Sequence, residues 1–312
     1  MTRVTPELRA LASRAFNYGD NNEDVPESLL SWTCLHDHPR SAALWRVTAP
    51  AGALVLKQHR NPRPFQQELR AYCEWLPALG GPASTGPLSP WTHDTDRLRI
   101  HVPALLACDL ANCSLALTFA PGERLSLGTH APALDPAAHA AAGRFLRALH
   151  ELPVADDDPM PLVDAVAARQ REWHARARDL LTPAERDALQ RLAARRDAFA
   201  GVRRVPCHRD FTPDNWLLGA DNLCVLDFEH ARLDAPEADL VKLCADVWPD
   251  RPDLAGAFLA GRGPLTPDAT ARLDVLLALH AAATLAWAER HDDPAFRALG
   301  RRALAVALER AP

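Results

Sequence analysis

The stretch that most constrains this chain runs from Val205 to Leu240, VPCHRDFTPDNWLLGADNLCVLDFEHARLDAPEADL. Two extended runs, Asn215 to Leu218 and Leu223 to Asp227, flank Gly219-Ala220-Asp221-Asn222, so the spacing predicts a β-hairpin closed by a Gly/Asp/Asn turn. Residues facing each other across an antiparallel ladder lie about 5 Å apart, and the expected register sets Asn215 against Asp227. A carboxylate and a carboxamide so placed suit a hard cation. Mg2+ takes oxygen ligands, keeps several waters, and is commonly held by one or two side chains together with substrate phosphates. Asn215 and Asp227 are therefore candidate Mg2+ ligands at a nucleotide-phosphate site. Asp210, in His208-Arg209-Asp210, precedes Asn215 by five residues. A capped turn with an exposed acid does not need this spacing.

At 312 residues the chain exceeds one ordinary core, and a prior of about 150 residues per domain suggests two lobes. With 48% hydrophobic and 24% charged residues it is expected to be globular rather than disordered. A formal charge of -5 argues against a nucleic-acid partner, which a basic stripe would signal. Lys57 and Lys242 are the only lysines among 35 lysines and arginines, and the Ala/Arg/Pro richness reads as a coding bias toward GC-rich codons. Seven cysteines without a C-x-x-C pair are expected to be reduced and mostly buried, in a cytoplasmic protein. Glu7 and Arg9 stand where a signal peptide needs an apolar core, and no run of about 18 apolar residues occurs, so no membrane role is expected. Oligomeric state is left open.

Taken in order, residues 5 to 17 predict a short amphipathic helix and 17 to 27 a polar loop. Trp32–Leu35, Ala43–Val47 and Ala53–Lys57 predict a three-strand antiparallel meander that ends on Lys57. Phe65 to Leu79 follows as a helix with Glu68 at the edge of its apolar face. A helix packed on the sheet could bring Glu68 to Lys57; Glu74 is the competing partner, but it points away from the apolar stripe. Gly80 to Pro90 reads as a loop, and Arg99–Val102 and Ser114–Phe119 as two further strands, about five in all. The hydrophobic period then changes from 2 to 3.6, which marks a lobe boundary. The hinge falls at Leu117 to Gly122, where the backbone of Thr118, Phe119 and Ala120 could hold an adenine edge. The lobes are thus 1–120, for nucleotide, and 121–312, for catalysis and substrate. Beyond the hinge the chain is nearly all helix: 135–152, 162–181, 183–199, 238–247, 252–260, 267–290 and 294–309, with the hairpin between the third and fourth.

His208-Arg209-Asp210 followed at Asn215 by a carboxamide, then Asp227-Phe228, matches the kinase spacing H-R-D-x-x-x-x-N with its Asp-Phe dipeptide. With Lys57, Glu68, Asp239 and Leu149-His150-Glu151-Leu152-Pro153 added, the chain resembles the aminoglycoside phosphotransferase family. These are relatives of choline kinase and homoserine kinase that share the protein-kinase-like fold. The resemblance implies an α+β bilobal fold, with an N-terminal antiparallel sheet lobe carrying one helix and a larger, mainly helical C-terminal lobe. It also implies ATP, with GTP possible, and Mg2+. Asp210 would be the base, Asn215 and Asp227 the metal ligands, Lys57 the phosphate lysine paired with Glu68, and Asp239 a support for the catalytic loop. Two departures stand out. Most of the family carries glycine at position 209, so Arg209 is expected to contact substrate or pack locally. The loop His38-Pro39-Arg40-Ser41-Ala42-Ala43 has no glycine, which leaves Ser41 as the candidate phosphate contact.

The expected activity is transfer of the γ-phosphate to a hydroxyl of a small, cationic molecule of the aminoglycoside or related antibiotic type, in resistance or biosynthesis. The alternatives are a kinase of Ser/Thr in a ribosomally made peptide, a choline-like amino-alcohol kinase, and a non-catalytic nucleotide binder. For a polycationic acceptor, Asp214, Asp234, Glu237, Asp274, Glu289, Asp292 and Asp293 are candidate carboxylates. Weaker constellations read as structural. His36 and His38 are expected to be surface imidazoles, Cys207 a buried thiol, and His280 a core histidine or pocket wall.

Overall fold

The computed structural model describes residues 4–17, 25–79, 98–125 and 135–311. The loop expected at 80–90 and most of that at 17–27 lie outside these residues. The chain forms two compact units: Met1–Leu125 with Asn215–Ala231, and Ser126–Asp214 with Arg232–Pro312. The first therefore differs from the expected 1–120 lobe, because it takes in the hairpin.

In the first unit, α1 (Pro6–Phe16) starts at Thr5, whose hydroxyl accepts the Leu8 N–H at 3.4 Å, with Pro6 supplying a preset φ. Strands β1 (Ser31–Asp37), β2 (Ala42–Ala49) and β3 (Gly52–His59) form the expected meander. Next comes α2 (Pro62–Arg70), capped by Asn61 and continued through a π turn at Ala71–Trp75 into α3 (Leu76–Leu79). The five-stranded antiparallel sheet has the order β1-β2-β3-β6-β5, with β5 at Leu105–Asp109 and β6 at Ser114–Thr118. Side chains alternate across a pleated strand. Trp45, Val47, Leu54, Leu56 and Ala116 accordingly pack with Leu8, Leu11 and Ala12 of α1 in one core. Lys57 and His59 point to the opposite face, toward α2.

The strand expected at 99–102 forms, in a second sheet. Arg99–His101, β4, does not join the five-stranded sheet; it pairs in parallel with β10 (Asn222–Val225) in the order β4-β10-β9-β7, with β7 at Glu123–Arg124 and β9 at Trp216–Leu218. The strand beside β6 is β5, which the sequence reading did not predict. Asp109 closes the β5–β6 turn, accepting from the backbone N–H and the side-chain amide of Asn112 at 3.2 and 2.8 Å.

The second unit contains α4 (Pro136–His150), α5 (Leu162–Ala177), α6 (Pro183–Ala193), the two-stranded pair β8 (Val205–Cys207) and β11 (Arg232–Asp234), α7 (Pro252–Arg262), α8 (Pro267–His291) and α9 (Pro294–Glu309). Helices α4 and α7 touch backbone to backbone. A Cβ on Gly143 would lie 2.2 Å from the Phe258 carbonyl oxygen, and one on Gly261 2.1 Å from that of Ala140. By length and composition α8 could cross a membrane, but 72% of its most apolar window is buried inside the unit. All seven cysteines are free; Cys207, Cys224 and Cys244 are buried, whereas Cys73 and Cys108 are exposed, so "mostly buried" does not hold.

Candidate functional site

Strand β3 runs two residues past its expected end at Lys57, which lies on the face away from α1 and is almost wholly buried, tolerable only beside opposite charge. Three carboxylates supply it. Lys57 Nζ lies 2.8 Å from Glu68, 2.6 Å from Asp227 and 3.2 Å from Glu229. Burial pushes the ammonium's pKa down, but Asp227, Glu68 and Glu229 outweigh it and hold it well above the usual lysine value. The expected Lys57–Glu68 pair is formed. Glu74 instead makes an exposed pair with Arg70 at 2.8 Å.

Glu68 is 1% exposed and does more than meet Lys57. One of its oxygens sits 2.7 Å from His59 Nε2, and the other accepts the Phe228 N–H at 3.3 Å. Burial pushes its carboxyl up; Lys57 and the His59 bond prevail and hold it below the usual range. His59 Nδ1 in turn approaches Glu229 at 3.7 Å. His59 was not singled out in sequence, although Lys57-x-His59 on one strand face was there to be read, and Glu229 stood only as the last residue of Asp227-Phe228-Glu229, a segment resembling the family's metal-binding one.

The hairpin forms with a register one residue away from that expected. Pairing outward from Leu218↔Leu223 gives Trp216↔Val225, and the Leu226 N–H donates to the Asn215 carbonyl at 2.9 Å. Leu226, not Asp227, thus stands opposite Asn215. Asp227 has left the ladder at φ 67°, a conformation that non-glycine residues adopt at a cost, and its carboxylate meets Lys57. Asn215 ends a 3-10 turn, Pro213–Asn215, and is buried. Both side chains offer oxygen, and that of Asp227 is 37% exposed, a donor set that fits a hard dication retaining its waters.

The other sequence-selected residues of this unit scatter. Ser41 is the last residue of the β1–β2 connection, its carbonyl accepting the Arg60 N–H at 2.8 Å. Thr118 and Ala104 are doubly bonded: the Thr118 N–H donates to the Ala104 carbonyl, and the Thr118 hydroxyl accepts the Ala104 N–H, both at 2.9 Å. Phe119 lies under the Arg46 guanidinium at 4.3 Å, and Ala120 is buried. His36 and His38 are stacked, exposed imidazoles.

Asp210 belongs to the second unit. Its loop is held by Asp239, which is buried and accepts the N–H groups of His208 at 3.0 Å and Arg209 at 2.5 Å, together with His150 Nε2 at 2.9 Å. Burial raises the Asp239 carboxyl, but the His150 bond and the Arg209 N–H help to hold it below its usual range. The Asp210 N–H donates to His208 Nδ1 at 3.3 Å, and Phe211 anchors the loop between Phe145 and Phe258. Lys242 forms an ion pair with Asp210. Arg209, at φ 67°, packs locally, 3.2 Å from Asp234. The thiol of Cys207 is pushed well up by burial, as expected of a structural cysteine.

The acids proposed to meet a cationic acceptor are mostly taken. Asp234 receives both guanidinium nitrogens of Arg169 at 2.7 and 2.9 Å, besides Arg209. Glu237 receives Arg272 at 2.8 and 3.0 Å, and Asp274 receives Arg195 at 2.7 Å and Arg310 at 2.5 Å. All three are buried. Glu289 pairs with Arg297 at 3.0 Å, and Asp293 caps α9. A buried carboxylate already bonded to arginine has little to offer a ligand.

Comparison with known proteins follows the same line. A family model described as the phosphotransferase enzyme family matches residues 35–276. No curated protein matches the chain in sequence. Among solved structures, macrolide 2'-phosphotransferase MphH from Brachybacterium faecium is similar with a TM-score of 0.59 at 19% identity, over 95% of this chain and 98% of that one. A GDP complex of aminoglycoside 2'-phosphotransferase-IIIa gives 0.64 at 16% identity, over 90% and 93%. Spectinomycin phosphotransferase with ADP and spectinomycin gives 0.55 at 13%, over 89% and 93%.

Proposed function

From the premise that the chain belongs to the phosphotransferase enzyme family, we propose that it transfers the γ-phosphate of ATP, or of GTP, to a hydroxyl of a small antibiotic-type molecule carrying little positive charge. The observation that carries the kinase reading is the buried cluster in which Lys57 meets Glu68 and Asp227. Such a lysine, fixed by one acid and next to another, is built to meet nucleotide phosphates. We assign nucleotide binding to the first unit, with the backbone at Thr118 to Ala120 for the base and the Ser41 hydroxyl for phosphate. Asn215 and Asp227 would hold Mg2+, which when bound neutralises phosphate charge. Asp210 accepts the proton of the acceptor hydroxyl, whose oxygen attacks the γ-phosphorus as the bond from that phosphorus to the β-phosphate oxygen breaks. A cytoplasmic location accords with the nucleotide requirement.

The paired state of Asp234, Glu237 and Asp274 turns the acceptor reading away from polycations. It favours molecules of the kind that the macrolide-phosphorylating neighbour is named for. Peptide Ser/Thr and choline-like amino alcohols remain as other acceptors to try. A non-catalytic nucleotide binder is disfavoured because Lys57, Asp210, Asn215 and Asp227 are all present. The test is a screen of macrolides, spectinomycin, aminoglycosides, amino alcohols and hydroxylated peptides with Mg-ATP and Mg-GTP, read by mass spectrometry as gain of one phosphoryl group. A macrolide-type product is expected. Modification of aminoglycosides alone would refute the low-charge acceptor, and no transfer with no hydrolysis above an Asp210→Asn background would refute the enzyme.

A further inference from the structure

Lys242 is not needed by anything said so far, yet it is placed on the proposed base. Its ammonium pairs with Asp210 Oδ1, and the two side chains are 37% and 21% exposed. The backbone of Asp210 is already fixed, through its N–H to His208 and through Asp239 gripping the two preceding N–H groups. Those contacts hold the backbone, and Lys242 holds the carboxylate. Lys242 follows Asp239 by three residues, so one short segment supplies the grip on the loop backbone and the grip on the carboxylate.

The residue type is informative. Of 35 lysines and arginines only Lys57 and Lys242 are lysine, and each is placed on a carboxylate of the candidate site. A guanidinium presents a planar fork that tends to engage both carboxylate oxygens, whereas an ammonium is a compact point charge that can hold one. The surroundings keep that charge distinct. His280 is pushed down to about 3, by burial first and then by Lys242 and Arg209, so it stays a neutral imidazole. Asp246, one helical turn beyond Lys242, is raised to about 6 by burial, with Lys242 opposing the rise.

We propose that Lys242 is a positioning residue for phosphoryl transfer, holding the Asp210 carboxylate through Oδ1 in the orientation that receives the acceptor hydroxyl's proton. This rests on the reading of Asp210 as base. In the transfer the hydroxyl proton passes to Asp210, the acceptor oxygen bonds to the γ-phosphorus, and the bond from that phosphorus to the β-phosphate oxygen breaks to release nucleoside diphosphate.

Two readouts test the proposal. With only two lysines, protein carrying 15N at the lysine side chains gives two ammonium resonances, assigned by Lys242→Arg. Asp210→Asn is expected to shift the Lys242 resonance and leave that of Lys57 in place; an unmoved Lys242 resonance overturns the pairing. In Mg-ATP or Mg-GTP hydrolysis without acceptor, Lys242→Ala is expected to lose about 10- to 100-fold in kcat, with nucleotide KM within about twofold. Added ethylammonium should restore part of that loss saturably, which replacement of a merely structural lysine would not show. Full kcat in Lys242→Ala, or a loss shared equally by KM and unaffected by the amine, overturns the positioning role. A parent that hydrolyses neither nucleotide counts against the proposed function, while the resonance shift still decides the pair.

Discussion

Replacing Glu68 by Gln isolates one charge in the Lys57 cluster without changing its shape. Removing a partner from a buried ion pair costs about 3–5 kcal/mol when nothing else compensates. Here Lys57 retains Asp227 at 2.6 Å and Glu229 at 3.2 Å, so a cost below that range, about 2–3 kcal/mol, is expected. At about 2–4 °C per kcal/mol for a unit of this size, the first unit should melt roughly 5–10 °C lower. Calorimetry suits this measurement, because the two units need not melt together. Glu74→Gln is the control: its pair with Arg70 is 55% and 44% exposed and should shift melting by no more than about 1–2 °C. The pH dependence has a definite sign. Glu68 is held below its unfolded value, so its contribution is present above about pH 4.3 and lost as pH falls further. The gap between parent and Glu68→Gln should stay constant from about pH 6 to 8 and close below about pH 4. Equal melting of the two variants at pH 7 would refute the cluster as the support of Lys57.

Asp210→Asn should lower turnover by about 10²-fold or more with nucleotide affinity nearly unchanged; full turnover would remove Asp210 from the mechanism. Asp246→Asn should stabilise the protein at pH 7.5 by roughly 1 kcal/mol, discounted for partial exposure. The Asp246 carboxyl is raised to about 6, so its neutral form fits the fold and stability is lost as pH rises through that value; melting at pH 4 should not change. Gly143→Ala should cost several kcal/mol, because its methyl would meet the Phe258 carbonyl at 2.2 Å, and a variant melting within a degree or two of the parent would contradict the contact. If the acids of the second unit are internally paired, acceptor KM should change little from low to physiological salt; a steep rise would restore the polycationic acceptor.

The meander, the Lys57–Glu68 pair and the helix starts at Pro6, Pro136, Pro183, Pro252, Pro267 and Pro294 were legible because period, caps and proline act locally. What was not legible depends on partners distant in sequence. Leu105–Asp109 and Arg99–Val102 are both short runs, and only pairing with β6 in one case and β10 in the other decides which joins the main sheet. The Asp227 carboxylate is aimed by a left-handed backbone that no alternation reveals. Acidic residues looked available in sequence because their arginine partners lie far off, as with Asp274 and Arg195 or Asp234 and Arg169. Lys242 left a trace only in composition, as the second lysine of an arginine-rich chain.

The chain passes from one unit to the other at residues 125/126, 214/215 and 231/232, and this has a consequence for synthesis. When Leu125 leaves the ribosome, β4 and β7 have been made, but β9 and β10, which join them into a sheet, lie 90 or more residues further on. At translation rates of about 5–20 residues per second, the wait is roughly 5–20 s. For that interval Lys57 has Glu68 but neither Asp227 nor Glu229, and two strand edges stand open on a nascent polypeptide. No truncation at a single point releases either unit whole, so cutting the gene at the apparent lobe boundary is expected to yield an N-terminal fragment that sticks to itself or to chaperones.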